Sequence, residues 1–376
     1  MIALHESRTQ LENQLDQIAE SLQLDATRYK KMNEHYEAIK KWIESDEKFF
    51  RPFAYDIYPH GSVRIQTTVR PYGKNEFDLD IAVHLKSTTA VHSPQRIYAE
   101  LKRRLSEHET YKAMLEPKNR CIRLNYAGDF HMDILPGVQQ FVWDADTIQV
   151  PDRELATWVS SNPRGYATWF LSKANLVHES LLERALKAEH LPVDDYENKK
   201  PLQRAVQLIK RYRDVYFRKN DEYKTSSIVL TTIAGEFYQG QDSIFETVEA
   251  ISSRLEREVN FSRGRIKVLN PVNSQEDFTD KWESEPQYYD AFKGFCLHLA
   301  SQWRQLKKAE GIITEGAVFN DLFGSDVVAS AQRAIASRIE NARASKTLLV
   351  DRPTGNLRTS ATAASGLIKP NTFYGR

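Results

Sequence analysis

Residues 58–85 read YPHGSVRIQTTVRPYGKNEFDLDIAVHL. Two aspartates, Asp78 and Asp80, sit one residue apart in a run that alternates apolar and polar. In a β-strand, residues i and i+2 share a face. Phe77, Leu79 and Ile81 therefore turn one way, toward a core, and the two carboxylates turn the other way, toward a cleft. Carboxylates this close raise each other's pKa unless a cation lies between them. Oxygen-only donors suit Mg²⁺ or Mn²⁺. Upstream, Gly61-Ser62 follows the strand-like YDIYPH and precedes a segment able to start a helix. Glycine admits close backbone approach, and the free N–H groups of a helix start attract anions. Serine adds a hydroxyl there.

The spacing alone does not single out this pair. Asp144 and Asp146 repeat it in VWDADT, with no companion motif, and read as a solvated turn. The first pair gains weight from Asp133, a third carboxylate in the alternating run DFHMDILPG. His131 shares the face of Asp133 by the same periodicity, either to orient the carboxylate or help bind nucleotide, or as an ordinary satisfied strand residue.

Around these runs the chain divides into a mixed half and a helical half. Leu11, Leu15, Ile18 and Leu22, then Tyr29, Met32, Tyr36, Ile39 and Ile43, form the stripe of one amphipathic helix or of two split near Asp25. FDLDIAVHL, CIRLNYAGDFHMDIL and DTIQV read as strands. SPQRIYAELKRRLSEH between them reads as a helix opened by Ser93 with Pro94 in its first turn. After NPRGY the pattern turns helical, with PLQRAVQLIKRYRDVYF carrying Leu202, Val206, Ile209, Tyr212 and Tyr216 on one face. Further helices are expected near 226–238, 243–258, 286–310 and 325–344. The last 25 residues, from Arg352, hold four basic and no acidic residues and suggest a mobile tail. No internal repeat is evident.

With 376 residues and a formal net charge of +1, no global field announces a nucleic-acid or membrane partner. Two distant cysteines, Cys121 and Cys296, match no zinc or disulfide framework. The start MIALHESRTQ lacks a signal peptide's apolar core, and no run is long enough to span a membrane, so a soluble, cytoplasmic protein is expected. There is no HExxH and no P-loop motif.

A Gly-Ser turn, an Asp-x-Asp strand and a later acid resemble the polymerase-β-like nucleotidyltransferases. GSVRIQTTVRPYGKNEFDLDIAVHL, FHMDILPG, VPDRELATW, NPRGYATWF, LIKRYRDVYF and NPVNSQEDFTDKW together resemble the bacterial cGAS/DncV-like cyclic-oligonucleotide synthases. The resemblance implies an α+β fold: a mixed-sheet nucleotidyltransferase core plus a C-terminal helical domain, bilobed, with the active site in the cleft. Residues 1–159 would form the N-terminal helix and core, 160–351 the helical domain, and 352–376 a flexible tail.

It further implies that Asp78, Asp80 and Asp133 bind two Mg²⁺ ions, or Mn²⁺, for in-line phosphoryl transfer. Gly61 and Ser62 would cradle the triphosphate of ATP or another NTP. Lys210 and Ser226 match the family's phosphate contacts on the helical domain, with Ser227 a candidate for the same place. Residues 199–224 carry nine Lys or Arg against three Asp or Glu, which suits a triphosphate or, equally, a solvated helix face. The product would be a cyclic di- or trinucleotide messenger in anti-phage signalling. A template-free transferase acting on RNA or protein, and a catalytically silent nucleotide-binding regulator, are the alternatives. The resemblance also implies an ancillary partner, HORMA-type or E1/E2-like, reading a flexible end such as KPNTFYGR, although the final Arg376 departs from the small-residue end that conjugation would use.

Overall fold

Helices α1 (Ile2–Ser21) and α2 (Ala26–Glu44) split where Asp25 caps α2, its carboxylate accepting from the Arg28 N–H at 2.9 Å. The computed structural model describes residues 2–73, 76–141, 143, 146–175, 190–309, 311–351, 357–358 and 365–368. Seven strands form the central sheet: β1 (Tyr55–His60), β2 (Phe77–Thr88), β3 (Leu115–Pro117), β4 (Ile122–Tyr126), β5 (Phe130–Gln139), β6 (Ile148–Asp152) and β7 (Thr157–Ser161). Their order is β1-β2-β5-β4-β3, with β6 bridging β5 and β7. Only β2 and β5 run parallel. A parallel pair needs a long crossover, and helices α4 (Pro94–Ser106) and α5 (Glu109–Met114) lie within it. Ser93 caps α4 and Pro94 occupies its first turn, as the sequence predicts.

One face of this sheet is a core. Leu79, Ile81 and Val83 from β2 and Met132 and Ile134 from β5 pack against Ile39 and Ile43 of α2 and Ile97, Leu101 and Leu105 of α4. Each of these side chains is essentially inaccessible to water. Burying one such side chain is worth about 1.5–3 kcal/mol, so the alternation in FDLDI leaves the aspartates only the opposite face.

The second half is helical: α6 (Pro163–Asn175), α7 (Pro201–Tyr216), α8 (Ser227–Phe237), α9 (Ile244–Phe261), α10 (Lys281–Ser284), α11 (Pro286–Lys308), α12 (Ile312–Phe323) and α13 (Ser325–Ala344). A hairpin, β8 (Leu269–Asn270) with β9 (Asn273–Asp277), joins this half to β7. Helix α12 has no counterpart among the helices expected from the sequence. Its interior Gly316 obscures the pattern, whereas Gly311 and Gly324, with φ of +90° and +82°, bracket it.

Two expectations need correction. The sequence groups α1 with the core, yet Leu11, Leu15, Ile18 and Leu22 pack with α7, α9 and α13 in the helical cluster. An apolar stripe fits either core, and Glu12 decides it: its carboxylate accepts from the N–H groups of Ile244 (2.6 Å) and Phe245 (2.9 Å), the opening residues of α9. The tail expected to be mobile from Arg352 contributes strands: β11 (Leu357–Arg358) and β12 (Ser365–Leu367) pair with β10 (Leu349–Asp351). The end of the chain, with KPNTFYGR, lies outside the described residues, as does Asp144.

Glu12→Ala removes the carboxylate that α9 relies on at its positive end. We expect a loss of about 1–2 kcal/mol, read as a lower Tm, with Glu12→Gln closer to the native protein.

Candidate active site

Strand register puts four side chains in one row across the sheet. His60 pairs with Asp80, Asp80 with Asp133, and Asp133 with Arg123. Directly paired residues point to the same face with Cβ atoms about 5 Å apart. One step along, Asp78 pairs with His131 and His131 with Asn125. The three predicted aspartates thus meet on the open face of the sheet, over a cleft of about 920 Å³.

Arg123 binds this cluster. Its Nε donates to Asp133 Oδ1 at 2.7 Å, and its Nη2 donates to Asp133 Oδ2 at 2.8 Å and to Asp78 Oδ1 at 3.1 Å. The fork on Asp133 holds the Arg123 pKa above its usual range. His131 lies between Glu76, 2.9 Å from Nε2, and Asp78, 3.5 Å from Nδ1.

Among the described residues, Asp80 has no such partner. Burial, with Asp78 and Asp133 beside it, pushes its pKa up to about 8, against the opposing pull of Lys210 and Arg123. Asp78, at the cleft mouth, is raised by desolvation to a lesser degree. His60 is held down to about 4 by burial, so it is a neutral imidazole at pH 7. Its Nε2 is buried with no hydrogen-bond partner among the described residues.

Gly61 and Ser62 open α3 (Gly61–Arg64), one turn beginning where β1 ends. Gly61 has φ +59°, and a Cβ there would lie 2.1 Å from Asp80 Oδ2. Only glycine permits this approach of backbone to carboxylate. The Ser62 hydroxyl pairs with Thr68 Oγ1 at 3.2 Å. Lys210, buried in α7, reaches the same loop: its Nζ donates to Thr67 O (3.1 Å) and Thr67 Oγ1 (2.9 Å). Burial first, then the charge of Arg213, lowers its pKa to about 7.

Of the predicted residues, Asp78, Asp80, Asp133, Gly61, Ser62 and Lys210 all line this cleft. Ser226 is exposed at the start of α8 and does not line it. Ser227 does, accepting a hydrogen bond from Arg213. Arg213 and Lys224 both pair with Asp214 on the same wall, Lys224 at 2.8 Å. Arg211, which also borders the apolar stripe of α7, turns away to the Phe323 carbonyl and Asp326.

The donor set fits a hard divalent ion: three carboxylates, two of them raised, on one open face. Among the described residues, no three His, Cys, Asp or Glu side chains stand ready as an ion cage. Both Asp133 oxygens are engaged by Arg123 instead.

Comparison with known proteins places this geometry. A family model described as "Second Messenger Oligonucleotide or Dinucleotide Synthetase domain" matches residues 10–175. A c-di-GMP synthase from Roseivirga ehrenbergii is 42% identical over 377 residues, spanning 100% of both chains. The chain belongs to the cGAS/DncV-like nucleotidyltransferases. The cyclic dinucleotide synthase CdnG of Bradyrhizobium diazoefficiens is 26% identical over 298 residues, 73% of this chain and 70% of that one. The structure of B. diazoefficiens CdnG in complex with GTP superposes with a TM-score of 0.69 at 23% identity, over 86% of this chain and 98% of that one. The CdnC–HORMA complex of E. coli MS115-1 gives 0.60 at 14%, over 83% and 96%. The α+β core with its added helical region is the fold of these cGAS/DncV-like structures. The protein is a nucleotidyltransferase of the kind that synthesises cyclic-oligonucleotide second messengers.

The raised Asp80 pKa makes a prediction with a definite sign. Its unfolded value is near 4 and its folded value about 8. The ionised unfolded state is therefore favoured increasingly as pH rises from about 4 to 8. In EDTA, Asp80→Asn should raise Tm by about 3–6 °C at pH 8. The gain should shrink toward pH 5. A pH-independent gain would mean that burial of charge is not its source.

Proposed function

We propose that this enzyme joins two GTP molecules into cyclic di-GMP, releasing pyrophosphate at each transfer, and that the product signals in anti-phage defence in the bacterial cytoplasm. The observation that carries the chemistry is the row of Asp80 and Asp133 on adjacent parallel strands, with Gly61-Ser62 against one end and Lys210 across the cleft. The choice of product rests on the full-length relative named as a c-di-GMP synthase. The CdnG structure holds GTP, in keeping with a guanine nucleotide as substrate.

Each part of the cleft then has a task. Gly61 and Ser62 offer backbone N–H groups and a hydroxyl to the triphosphate at a one-turn helix start. Lys210, with its pKa lowered to about 7, gains full charge as phosphate approaches and neutralises it. Arg213 and Lys224 supply further positive charge from the same wall. Tyr166 and Phe278, with Val150 and Val159, give the cleft an apolar side suited to a purine. Asp78, Asp80 and Asp133 would hold two Mg²⁺ or Mn²⁺ ions, which supply activation of the attacking hydroxyl and clamping of the leaving pyrophosphate. His60, a neutral imidazole whose Nε2 has no hydrogen-bond partner among the described residues, stands beside Asp80.

A regulatory partner is part of the same proposal. CdnC of E. coli MS115-1 was solved with a HORMA protein, and a partner of that type, or an E1/E2-like one, would read the chain's end. Among the described residues, no helix is long and apolar enough to cross a membrane.

Purified protein incubated with labelled NTPs and Mg²⁺ or Mn²⁺ should yield cyclic di-GMP by mass spectrometry, from GTP alone. Asp78→Asn with Asp80→Asn should lower the yield by about 10³-fold or more. A linear product on added RNA, a cyclic product without two guanines, or GTP binding without turnover would each overturn the proposal.

A further inference from the structure

We infer that Arg123 is an exchangeable internal cation: its guanidinium holds Asp133 and Asp78 together, and it must leave them for a divalent ion to bind. This rests on the reading that ions bind at these aspartates.

Three carboxylates on one sheet face repel one another, and the protein needs a positive group to fold around them. Arg123 supplies it to Asp133 and Asp78. It bonds to three of the four carboxylate oxygens of Asp133 and Asp78. The fork on Asp133 uses the planar two-point geometry that makes arginine–carboxylate pairs strong. An ion seeking Asp133 therefore competes with a guanidinium already seated on both its oxygens. Arginine does not lose its proton in proteins, so its release from Asp133 is driven by the competing ion and not by its own deprotonation.

The placement allows exchange. Arg123 stands on β4, at the side of the row away from Asp80 and His60, and its side chain is 21% exposed. It can swing toward solvent on its flexible stem without unpacking the core. Asp80 has no hydrogen bond from Arg123 and is the carboxylate left for an arriving ion.

A residue that only positions the carboxylates would have the opposite effect on ion binding. Removing a positioning residue weakens ion affinity; removing a competitor strengthens it.

The test measures Mn²⁺ binding by electron paramagnetic resonance, without nucleotide, in the full-length protein. Arg123→Gln should bind Mn²⁺ ~5–30-fold tighter than the native protein, as expected for loss of a charge-assisted pair. Arg123→Lys, which keeps the charge but not the fork, should fall between. In EDTA, Arg123→Gln should melt below the native protein, and Mn²⁺ should raise its Tm by more. In native protein labelled with ¹⁵N-arginine, the Arg123 Nε–H resonance should move as Mg²⁺ is added. That measurement decides the matter if Arg123→Gln does not fold. Unchanged or weaker Mn²⁺ binding in folded Arg123→Gln, or an Arg123 resonance indifferent to Mg²⁺, would overturn the inference and leave the proposed synthesis standing. Native protein that binds no Mn²⁺, and is unaffected by Asp80→Asn, would remove the ion site and this inference together.

Discussion

Mutual repulsion among Asp78, Asp80 and Asp133 is the constraint around which the rest of the molecule is arranged. Hydrophobic burial forces them onto one face, because Leu79, Ile81, Met132 and Ile134 between them belong to the core beneath. Parallel register then sets Asp80 against Asp133. The fold relieves the resulting strain in different ways for different members. Asp133 takes both bonds of the Arg123 fork, Asp78 shares Arg123 and His131, and Asp80, through burial first and then its two acidic neighbours, carries a raised pKa. Sites held in such unfavourable states are where natural proteins give up stability for function.

The second half of the chain completes the cleft through one loop. Gln203, Gln207 and Lys210 stand on successive turns of α7 and donate to Ile65 O, Thr68 O and Thr67, respectively. The backbone of Thr67 also donates to Ser62 O at 2.9 Å. A single short loop thus links the Gly61-Ser62 turn to the helix carrying Lys210. Displacement of α7 would be felt at the turn expected to hold phosphate. This linkage gives the bilobed architecture a physical means of coupling its halves.

Much of the site is legible in the sequence because it rests on periodicity. The alternation in FDLDI and HMDIL is enough to place the acids on one face, and Ser93-Pro94 marks a helix start by local chemistry alone. Arg123 is within reach of the same reasoning, although the sequence reading passes over it. The loop Ala127-Gly128-Asp129, with Gly128 at φ +81°, closes a hairpin that pairs Tyr126 with Phe130. Counting back along both strands sets Arg123 against Asp133. His60 is not legible in this way, since its pairing with Asp80 depends on a long connection. The choice of Ser227 over Ser226 as the cleft-facing residue depends on how α8 docks, which no local pattern records. The packing of α1 turns on one carboxylate, Glu12, capping a helix more than 230 residues away.

On the proposed function, these three carboxylates form the ion-binding centre at which GTP is held. Anomalous diffraction from crystals grown with Mn²⁺ and a non-hydrolysable GTP analogue tests it most directly. Manganese peaks are expected within bonding distance of Asp78, Asp80 and Asp133, with the analogue's phosphates against Gly61-Ser62 and Arg123 no longer forked on Asp133. Manganese bound elsewhere, with the Arg123–Asp133 pair intact beside a bound nucleotide, would contradict it.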